Sequence, residues 1–272
     1  MEAKEPISEA MLCDCMEYMR TVPDMFFDLT VADPPYGDPN HSFDLSGGGQ
    51  IRRTIRPILC SEASSDTGSN PKWNRFSGGT WAERYRKPTM PTEDASRGTV
   101  RGGVEIPKWD VAPPQEYFDE LFRISRHVII WGGNYFSLPP TRCFLIWRKT
   151  NISEHFSMAM CEYAWTNFNG NAKVFSCPSL RNEHSEKFHP TEKRLELYTW
   201  IFDNYAKPGD KVFDPNMGSQ SSRIAAYHRG IHYYGCEIDP YYYEKGCERF
   251  DRECRGVRRE GDMTYVQKQL FV

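Results

Sequence analysis

The segment 26–32 is a run of mostly apolar and β-branched residues that leads into Asp33-Pro34-Pro35-Tyr36. A run of this length followed by proline predicts a buried strand that ends in a loop. Open α/β sheets bind ligands at the carboxyl ends of their strands, and Asp33 stands at such an end. The prolines fix φ and lack N–H donors, so the stiff loop offers two acceptors, the Asp33 carboxylate and the Pro34 carbonyl, beside the Tyr36 ring. A planar amino group would fit there; a turn that merely caps the strand is the alternative.

Strand and helix patterns alternate through most of the remaining chain. A short strand is predicted to end at Asp14, with a helix after it through Arg20. Further strands are predicted at 127–131, 142–147, 162–167, 211–213 and 232–238, and further helices at 114–124, 190–206, 221–227 and 241–253. This alternation predicts an α/β fold with a parallel sheet and right-handed crossovers.

Two of the later strands end in residues suited to a nucleotide-like ligand. Strand 211–213 is followed by Asp214-Pro215-Asn216-Met217-Gly218-Ser219, in which Gly218 lets the backbone approach a ligand closely. Glu237 lies 19 residues after Gly218, near the spacing at which dinucleotide-binding folds place a carboxylate for ribose hydroxyls. A nicotinamide cofactor fits this pattern too. However, the chain lacks the pyrophosphate-binding G-x-G-x-x-G, which favours a cofactor without a pyrophosphate, such as S-adenosylmethionine.

The segments 33–36 and 214–219, with Glu237, resemble the DNA amino-methyltransferases, which transfer a methyl group from S-adenosylmethionine to adenine N6 or cytosine N4. The tetrad comes first and the glycine turn about 180 residues later, which matches the circularly permuted β group. The resemblance implies a doubly wound Rossmann-like methyltransferase sheet with the catalytic half first. It covers about 8–36, more loosely 113–168, and 186–253.

The resemblance also implies roles for individual residues. Asp33, Pro34, Pro35 and Tyr36 become the catalytic residues, with the flipped target base stacked on Tyr36. His189-Pro190-Thr191-Glu192-Lys193 matches the family's usual His-Pro-Thr-Gln-Lys apart from Glu192. The implied cofactor-binding residues are Asp14, Thr191, Lys193, Asp214, Asn216, Met217, Gly218, Ser219 and Glu237. For Asp14, a helix cap is an equal alternative.

Two positions of the glycine turn depart from the family pattern. Asn216 stands where the family often has Phe, and Gln220 where it often has a second Gly. Gln220 is expected to narrow the turn, which puts cofactor affinity in question but not the fold. Among the residues near the strand ends, Asn134, Tyr135 and Trp147 are interpreted as core residues, with a place in the base pocket as the alternative.

Residues 37–108 have no periodicity and separate 1–36 from 109–272, the two parts of the predicted methyltransferase domain. Residues 38–108 contain eleven Lys and Arg against eight Asp and Glu, a local net charge of +3 in a chain of −3. The aromatic residues Trp73, Phe76, Trp81 and Tyr85 lie among the arginines. Such a composition suits phosphate contact and base stacking, which predicts a DNA-contacting segment. A solvated, partly disordered insertion is the alternative.

Composition excludes several other classes of protein. No apolar run approaches the ~18 residues of a membrane span, and the first residues lack a signal-peptide pattern. The nine cysteines form no C-x-x-C pair, so neither a zinc site nor a disulfide framework is indicated, and no metal is expected. An intracellular protein is therefore predicted, and the resemblance implies a bacterial or phage type. Its oligomeric state stays open, with a homodimer as one alternative.

The predicted reaction follows from the acceptors beside Tyr36. An exocyclic amine is a poor nucleophile because its lone pair is delocalised into the ring. The Asp33 carboxylate and the Pro34 carbonyl would accept its two N–H bonds and direct the lone pair at the sulfonium methyl group. Adenine N6 in double-stranded DNA is the favoured target, because Asp opens the tetrad more often in adenine enzymes. The alternatives are methylation of cytosine N4 and a catalytically silent DNA-binding relative. Methylation of RNA or of a protein glutamine amide uses similar tetrads, but the permuted order argues against it.

Overall fold

The computed structural model describes residues 5–36, 97–101, 104–107, 111–155, 159–179, 188–189, 191–260 and 263–266. The chain divides into two compact units, Met1–Tyr36 with Ala112–Val272, and Gly37–Val111. The strands of the first unit are β1 (Ser8–Leu12), β2 (Phe27–Ala32), β5 (Ser125–Trp131), β6 (Phe144–Lys149), β7 (Cys161–Thr166), β8 (Lys173–Cys177), β9 (Lys211–Asp214), β10 (His232–Glu237), β11 (Val257–Glu260) and β12 (Met263–Val266). Its helices are α1 (Cys15–Thr21), α2 (Gln115–Ile124), α3 (Leu195–Tyr205), α4 (Ser221–His228) and α5 (Pro240–Cys254).

Eight strands form one sheet in the order β1-β10-β9-β2-β5-β7-β6-β8. The predicted α/β sheet is confirmed, but it is mixed rather than wholly parallel, since β7 runs antiparallel to both β5 and β6. A parallel pair needs a crossover of about a dozen residues or more, usually with a helix. The short connection 150–160 between β6 and β7 suits a reversal of direction instead.

Helices cover both faces of the sheet, as a doubly wound fold requires. Within β5, the side chains of Val128 and Ile130 pack into the core on the side of α1 and α2. Ile129 and Trp131 point the other way and pack into the core that contains residues of α3 and α4. All four side chains are fully buried. This explains why β5 reads as a continuous apolar run, as strands buried on both faces do.

The helix predicted from Pro190 begins later, at Leu195. Arg194 precedes it with an extended backbone, ψ 140°, and makes no side-chain capping hydrogen bond. The residues just before it are used instead for buried side-chain contacts, described below. The sequence also gave no signal for β8, which lies at one edge of the sheet, or for the antiparallel pair β11–β12.

The second unit contains an antiparallel hairpin formed by β3 (Arg97–Arg101) and β4 (Val104–Pro107). The basic and aromatic residues between 37 and 96 lie outside the described residues, so their predicted role in DNA contact stays a prediction. Across the described part of the chain, no helix is both long and apolar enough to cross a membrane.

Candidate functional site

The candidate site lies at one edge of the sheet, where parallel strands end side by side. Asp33 directly follows β2, and Asp214 and Glu237 are the last residues of β9 and β10. Asp14 follows β1, the neighbour of β10. Because β2 pairs with β9 and β9 with β10, the tetrad and the glycine turn meet although about 180 residues separate them in sequence.

Asp33 forms an ion pair with a buried lysine. Its Oδ2 lies 2.5 Å from Nζ of Lys193, and the hydroxyl of Tyr36 lies 3.5 Å from Oδ1 and donates to it. Burial raises the pKa of the Asp33 carboxyl above its usual range, while the Lys193 charge opposes that rise. Burial alone would lower the pKa of Lys193, but the charges of Asp33 and Glu162 outweigh it and raise that pKa well above its usual value. Lys193 is therefore a cation.

The ion pair continues into the neighbouring strands. Glu162 of β7 has Oε2 at 3.2 Å from Nζ of Lys193 and Oε1 at 2.7 Å from Nζ of Lys149, the last residue of β6. Burial would raise the pKa of Glu162, but the two lysines lower it below its usual range. The lysine side chains are 6% and 8% exposed and the carboxylate side chains 17% and 24%, so two buried ammonium groups alternate with two partly buried carboxylates. Sequence reasoning missed it; a charged residue in each of two apolar strands was the available signal.

The ring of Tyr36 is fixed by its neighbours at the end of β5. It stacks on Tyr135 with 4.7 Å between ring centroids and 26° between planes. Gly132 has φ +67°, and a side chain there would overlap the Tyr36 ring. Tyr135 is 48% exposed, so its interpretation as a core residue is wrong, whereas Trp147 is buried in the core as expected.

Asp214 organises the start of the glycine turn. Its Oδ2 accepts hydrogen bonds from the hydroxyls of Ser222, at 2.5 Å, and Tyr233, at 3.2 Å. Its Oδ1 accepts from the backbone N–H of Asn216 at 3.0 Å. Burial raises the pKa of this carboxyl to about 6. Both oxygens are thus engaged in holding the turn.

Glu237 receives two backbone N–H groups, and one of them comes from the glycine turn. Gly218 N–H donates to Oε2 at 2.8 Å, and Asp239 N–H donates to Oε1 at 2.9 Å. Burial raises the pKa of Glu237 to about 7. Gly218 has φ +48°, and a Cβ there would lie 2.9 Å from Nε2 of His189. The glycine turn therefore lies against both Glu237 and His189. A ligand at this place could contact the Gly218 backbone and the Glu237 carboxylate.

The sequence was compared with known proteins and families. The DNA methylase family of N6 and N4 methyltransferases matches residues 130–248. This match spans 119 of the 272 residues and supports the predicted resemblance to the amino-methyltransferases. Methylases of this family use S-adenosylmethionine, the cofactor that the sequence predicts.

Three similar proteins share between 10% and 22% of their residues with this chain. The type II methyltransferase M.HinfI of Haemophilus influenzae is 22% identical over 263 residues, which cover 84% of this chain and 64% of the relative. The chain thus spans less than two thirds of that relative's length. Among solved structures, M1.HpyAVI in complex with SAM has a TM-score of 0.45 at 16% identity, covering 89% of this chain and 98% of the other. The cytosine-N4-specific PvuII DNA methyltransferase has a TM-score of 0.49 at 10% identity, covering 96% and 91%.

Gln220 departs from the family pattern without filling the glycine turn. It adopts a left-handed backbone, φ +57°, which glycine tolerates best. Its side chain donates to the Tyr243 carbonyl at 3.2 Å and accepts from Arg223 at 2.9 Å. A Cβ on Gly246 of α5 would lie 2.6 Å from Cγ of Gln220, so α5 leaves room for this side chain. Gln220 therefore points into α5 and away from the Gly218 backbone.

The other two departures are held by specific partners. Asn216 accepts a hydrogen bond from the Tyr117 hydroxyl at 2.6 Å. Glu192 lies 3.2 Å from Arg249, which is buried in α5 and donates to the Ser219 carbonyl at 3.0 Å. Glu192, which stands where the family usually has Gln, therefore connects the segment that begins at His189 to the glycine turn through its ion pair with Arg249.

The remaining predicted cofactor residues take varied positions. Asp14 accepts from Met16 N–H at 2.7 Å and caps α1, so the cap is present whatever else Asp14 contacts. Thr191 is exposed, and its hydroxyl lies 3.3 Å from Nδ1 of His189. Met217 and Ser219 are buried within the turn. Lys193 contacts Asp33 rather than the glycine turn, and its role as a cofactor contact stays a prediction.

Ile238 is a candidate residue that sequence reasoning missed. It directly follows Glu237 and is 57% exposed, and Leu12, whose strand position pairs with Glu237, is 48% exposed. An apolar side chain beside a hydroxyl-binding carboxylate suits the flat base of a nucleoside. Within the described residues, no group of three or more His, Cys, Asp or Glu side chains could hold a metal ion.

Proposed function

We propose that this chain transfers the methyl group of S-adenosylmethionine to adenine N6 of a flipped base in double-stranded DNA. The observation that carries the proposal is the position of the Asp33 carboxylate at a strand tip beside the Gly218 turn and Glu237. An amine-binding tetrad and a nucleoside-binding turn then serve one reaction. The match of residues 130–248 to the DNA methylase family supports the same reaction class.

The residues around Gly218 fit the cofactor. Each Glu237 oxygen already accepts one backbone N–H and keeps a further lone pair for a ribose hydroxyl. The exposed Ile238 side chain offers an apolar surface to the adenine base, and the glycine backbone permits close approach. When bound, S-adenosylmethionine supplies an electrophilic methyl group on a sulfonium.

Asp33 and Pro34 would act on the target amine. Oδ1 of Asp33 and the carbonyl of Pro34 accept its two N–H bonds, which draws the nitrogen towards tetrahedral geometry and exposes its lone pair. The contribution is one of position and electrostatics. Because the amine is out of reach inside a duplex, the base must leave the stack, and Tyr36 offers it an aromatic face.

The choice of adenine N6 over cytosine N4 rests on Asp33 itself. In the family that the tetrad resembles, Asp in this position is commoner in adenine enzymes and Ser in cytosine enzymes. An experiment with purified protein tests both the reaction and the base. Unmethylated plasmid DNA is incubated with labelled S-adenosylmethionine, digested to nucleosides and analysed by mass spectrometry.

N6-methyldeoxyadenosine is the expected product of this experiment. Detection of N4-methyldeoxycytidine instead would contradict adenine as the target base but would support the proposed methyl transfer to DNA. Absence of both, together with no heat of S-adenosylmethionine binding in calorimetry, would favour a silent DNA-binding relative. The Asp33→Asn variant is the matched control for contaminating activity.

The segment 37–108 is our candidate for DNA contact, because of its local net charge of +3 and its interleaved aromatic residues. Deletion of residues 45–103 should weaken DNA binding and flatten its dependence on salt, since fewer phosphates would be neutralised. Calorimetry should show unchanged cofactor affinity. Equal DNA affinity of both proteins at two salt concentrations would remove this segment from the DNA interface.

A further inference from the structure

Four charges of alternating sign, on two buried lysines and two partly buried carboxylates, lead from β6 to the tip of β2. Lys149 contacts Glu162 at 2.7 Å, Glu162 contacts Lys193 at 3.2 Å, and Lys193 contacts Asp33 at 2.5 Å. Each residue comes from a different part of the chain: the end of β6, the start of β7, the segment before α3 and the loop after β2. The Lys193 ammonium also lies 5.4 Å from the centroid of the Trp131 ring.

Stability alone gives a weak reason for this arrangement. Removing charges from water is costly, and buried ion pairs can often be replaced by apolar side chains without loss of stability. The chain of charges ends on the carboxylate that the proposed function places against the target amine. Its geometry therefore matters most at that carboxylate.

We propose that Lys193, itself held by Glu162 and Lys149, is a positioning residue that orients the Asp33 carboxylate towards the target amine. The inference rests on the proposed function. By occupying Oδ2, Lys193 fixes the plane of the carboxylate and leaves Oδ1 to accept from the amine. The Tyr36 hydroxyl, 3.5 Å from Oδ1, is too distant for a strong competing bond.

Lys193 also supplies the charge that keeps this carboxylate an acceptor. Besides Lys193, the groups that interact electrostatically with Asp33 are Tyr36, Glu162, Tyr117, Tyr198 and Asp214. Burial and the Glu162 charge raise the pKa of Asp33, and Lys193 lowers it. A protonated Asp33 would present a hydroxyl donor in place of one acceptor oxygen.

Glu162 has the opposite electrostatic effect on Asp33. It shares the Lys193 ammonium and adds a second negative charge near the Asp33 carboxyl, so it raises the Asp33 pKa. Removal of Lys193 and removal of Glu162 should therefore shift the ionisation of Asp33 in opposite directions. A merely structural role for the network gives no such opposition.

The test measures single-turnover methyl transfer to unmethylated plasmid DNA between pH 5 and pH 9. Lys193→Met should reduce transfer at pH 7 about 100-fold, since misplaced reacting groups cost that much, and should move the acidic limb of the rate profile to higher pH. Glu162→Gln should move that limb to lower pH. Lys193→Arg keeps the positive charge, so the acidic limb of its rate profile should lie at the same pH as in the wild type. Lys173→Met, which changes a lysine of β8 at the sheet edge, should match the wild type.

The outcomes separate three explanations. The positioning role is overturned if the acidic limb of the rate profile does not move in the two variants. It is also overturned if the limb moves in the same direction in Lys193→Met and Glu162→Gln. A Lys193→Met variant whose whole loss is a weaker calorimetric affinity for S-adenosylmethionine overturns it too, because Lys193 would then be a cofactor contact. If Lys193→Met does not fold, the Glu162→Gln profile decides alone: a downward shift supports the proposal, and an unchanged limb overturns it. A wild type without transfer overturns the proposed function as well.

Discussion

Asp33 and Glu237 are carboxylates at the tips of β2 and β10, on either side of β9, yet different partners hold them. Asp33 is paired with the cation Lys193, whereas Glu237 accepts from two neutral backbone N–H groups. Backbone donors are set in place by the fold, and they leave Glu237 with a pKa of about 7. A cationic side chain counteracts burial more directly but depends on a network of further side chains. The tip of β2, the proposed catalytic tip, thus depends on side chains for its electrostatics, and the tip of β10, the proposed cofactor tip, depends on the backbone.

Removing the carboxylate of Asp33 should have the largest effect. Asp33→Ala deletes an acceptor for the reacting amine, so methyl transfer should fall at least ~100-fold. Cofactor affinity, which depends on the other tip, should stay within about twofold. Radiolabel transfer and calorimetry measure the two quantities. Turnover above about a tenth of wild type would remove Asp33 from its catalytic role.

Substitution of Tyr36 tests the contribution of base stacking at the same strand tip, whereas substitution of Asp33 tests that of charge. Base–aromatic stacking is worth ~1–3 kcal/mol, so Tyr36→Ala should slow transfer to duplex DNA roughly 10- to 100-fold. Tyr36→Phe keeps the ring and serves as the matched control. The loss should shrink when the target adenine lies opposite an abasic site, because an unpaired base costs less to extrude.

A packing role for Tyr36 gives a different result, since its ring also covers Gly132 and Tyr135. In that case the alanine variant would melt at a lower temperature and lose activity on both substrates equally. The melting temperature and the two rates of the one variant therefore decide between the roles.

The cofactor tip should respond to pH near neutrality. Ribose hydroxyls donate to an ionised Glu237, whose pKa is about 7 in the free protein. Affinity for S-adenosylmethionine should therefore be fully present above pH 7 and fall as pH drops through 7, to about tenfold weaker at pH 6 than at pH 8. Calorimetry at both values measures this. Glu237→Gln should bind more weakly at both, with a flat pH dependence; a wild type with equal affinity at both would contradict the assignment.

Gln220 should have the smallest effect on the cofactor tip. Gln220→Gly relieves the left-handed backbone but loses the bonds to Tyr243 and Arg223, for a net destabilisation of about 1 kcal/mol. Cofactor affinity should change less than about twofold, because the side chain points into α5. A gain in affinity of tenfold or more would mean that Gln220 does narrow the turn.

The two tips also differ in how far sequence predicts them. Local patterns predict that Asp33 and Glu237 end buried strands, because each stands next to its own apolar run. Lys193, the ion-pair partner of Asp33, is 160 residues away in sequence, and no local pattern predicts this contact. No local pattern predicts the contact between Lys193 and Glu162 either. The direction of β7 and the late start of α3 were missed for a similar reason, since both depend on contacts between distant segments.

The position of β1 at the edge of the sheet bears on how the chain folds during synthesis. β1 pairs with β10 in the register Ser8 to Tyr233, so its partner is made 225 residues later. At ~5–20 residues per second, β1 waits roughly 10 to 45 s on the ribosome without its neighbour. β2 obtains β5 earlier but must leave its other edge open for β9. Pairing over such separations is slow, so both strands would expose unpaired edges at least until β9 and β10 have been made.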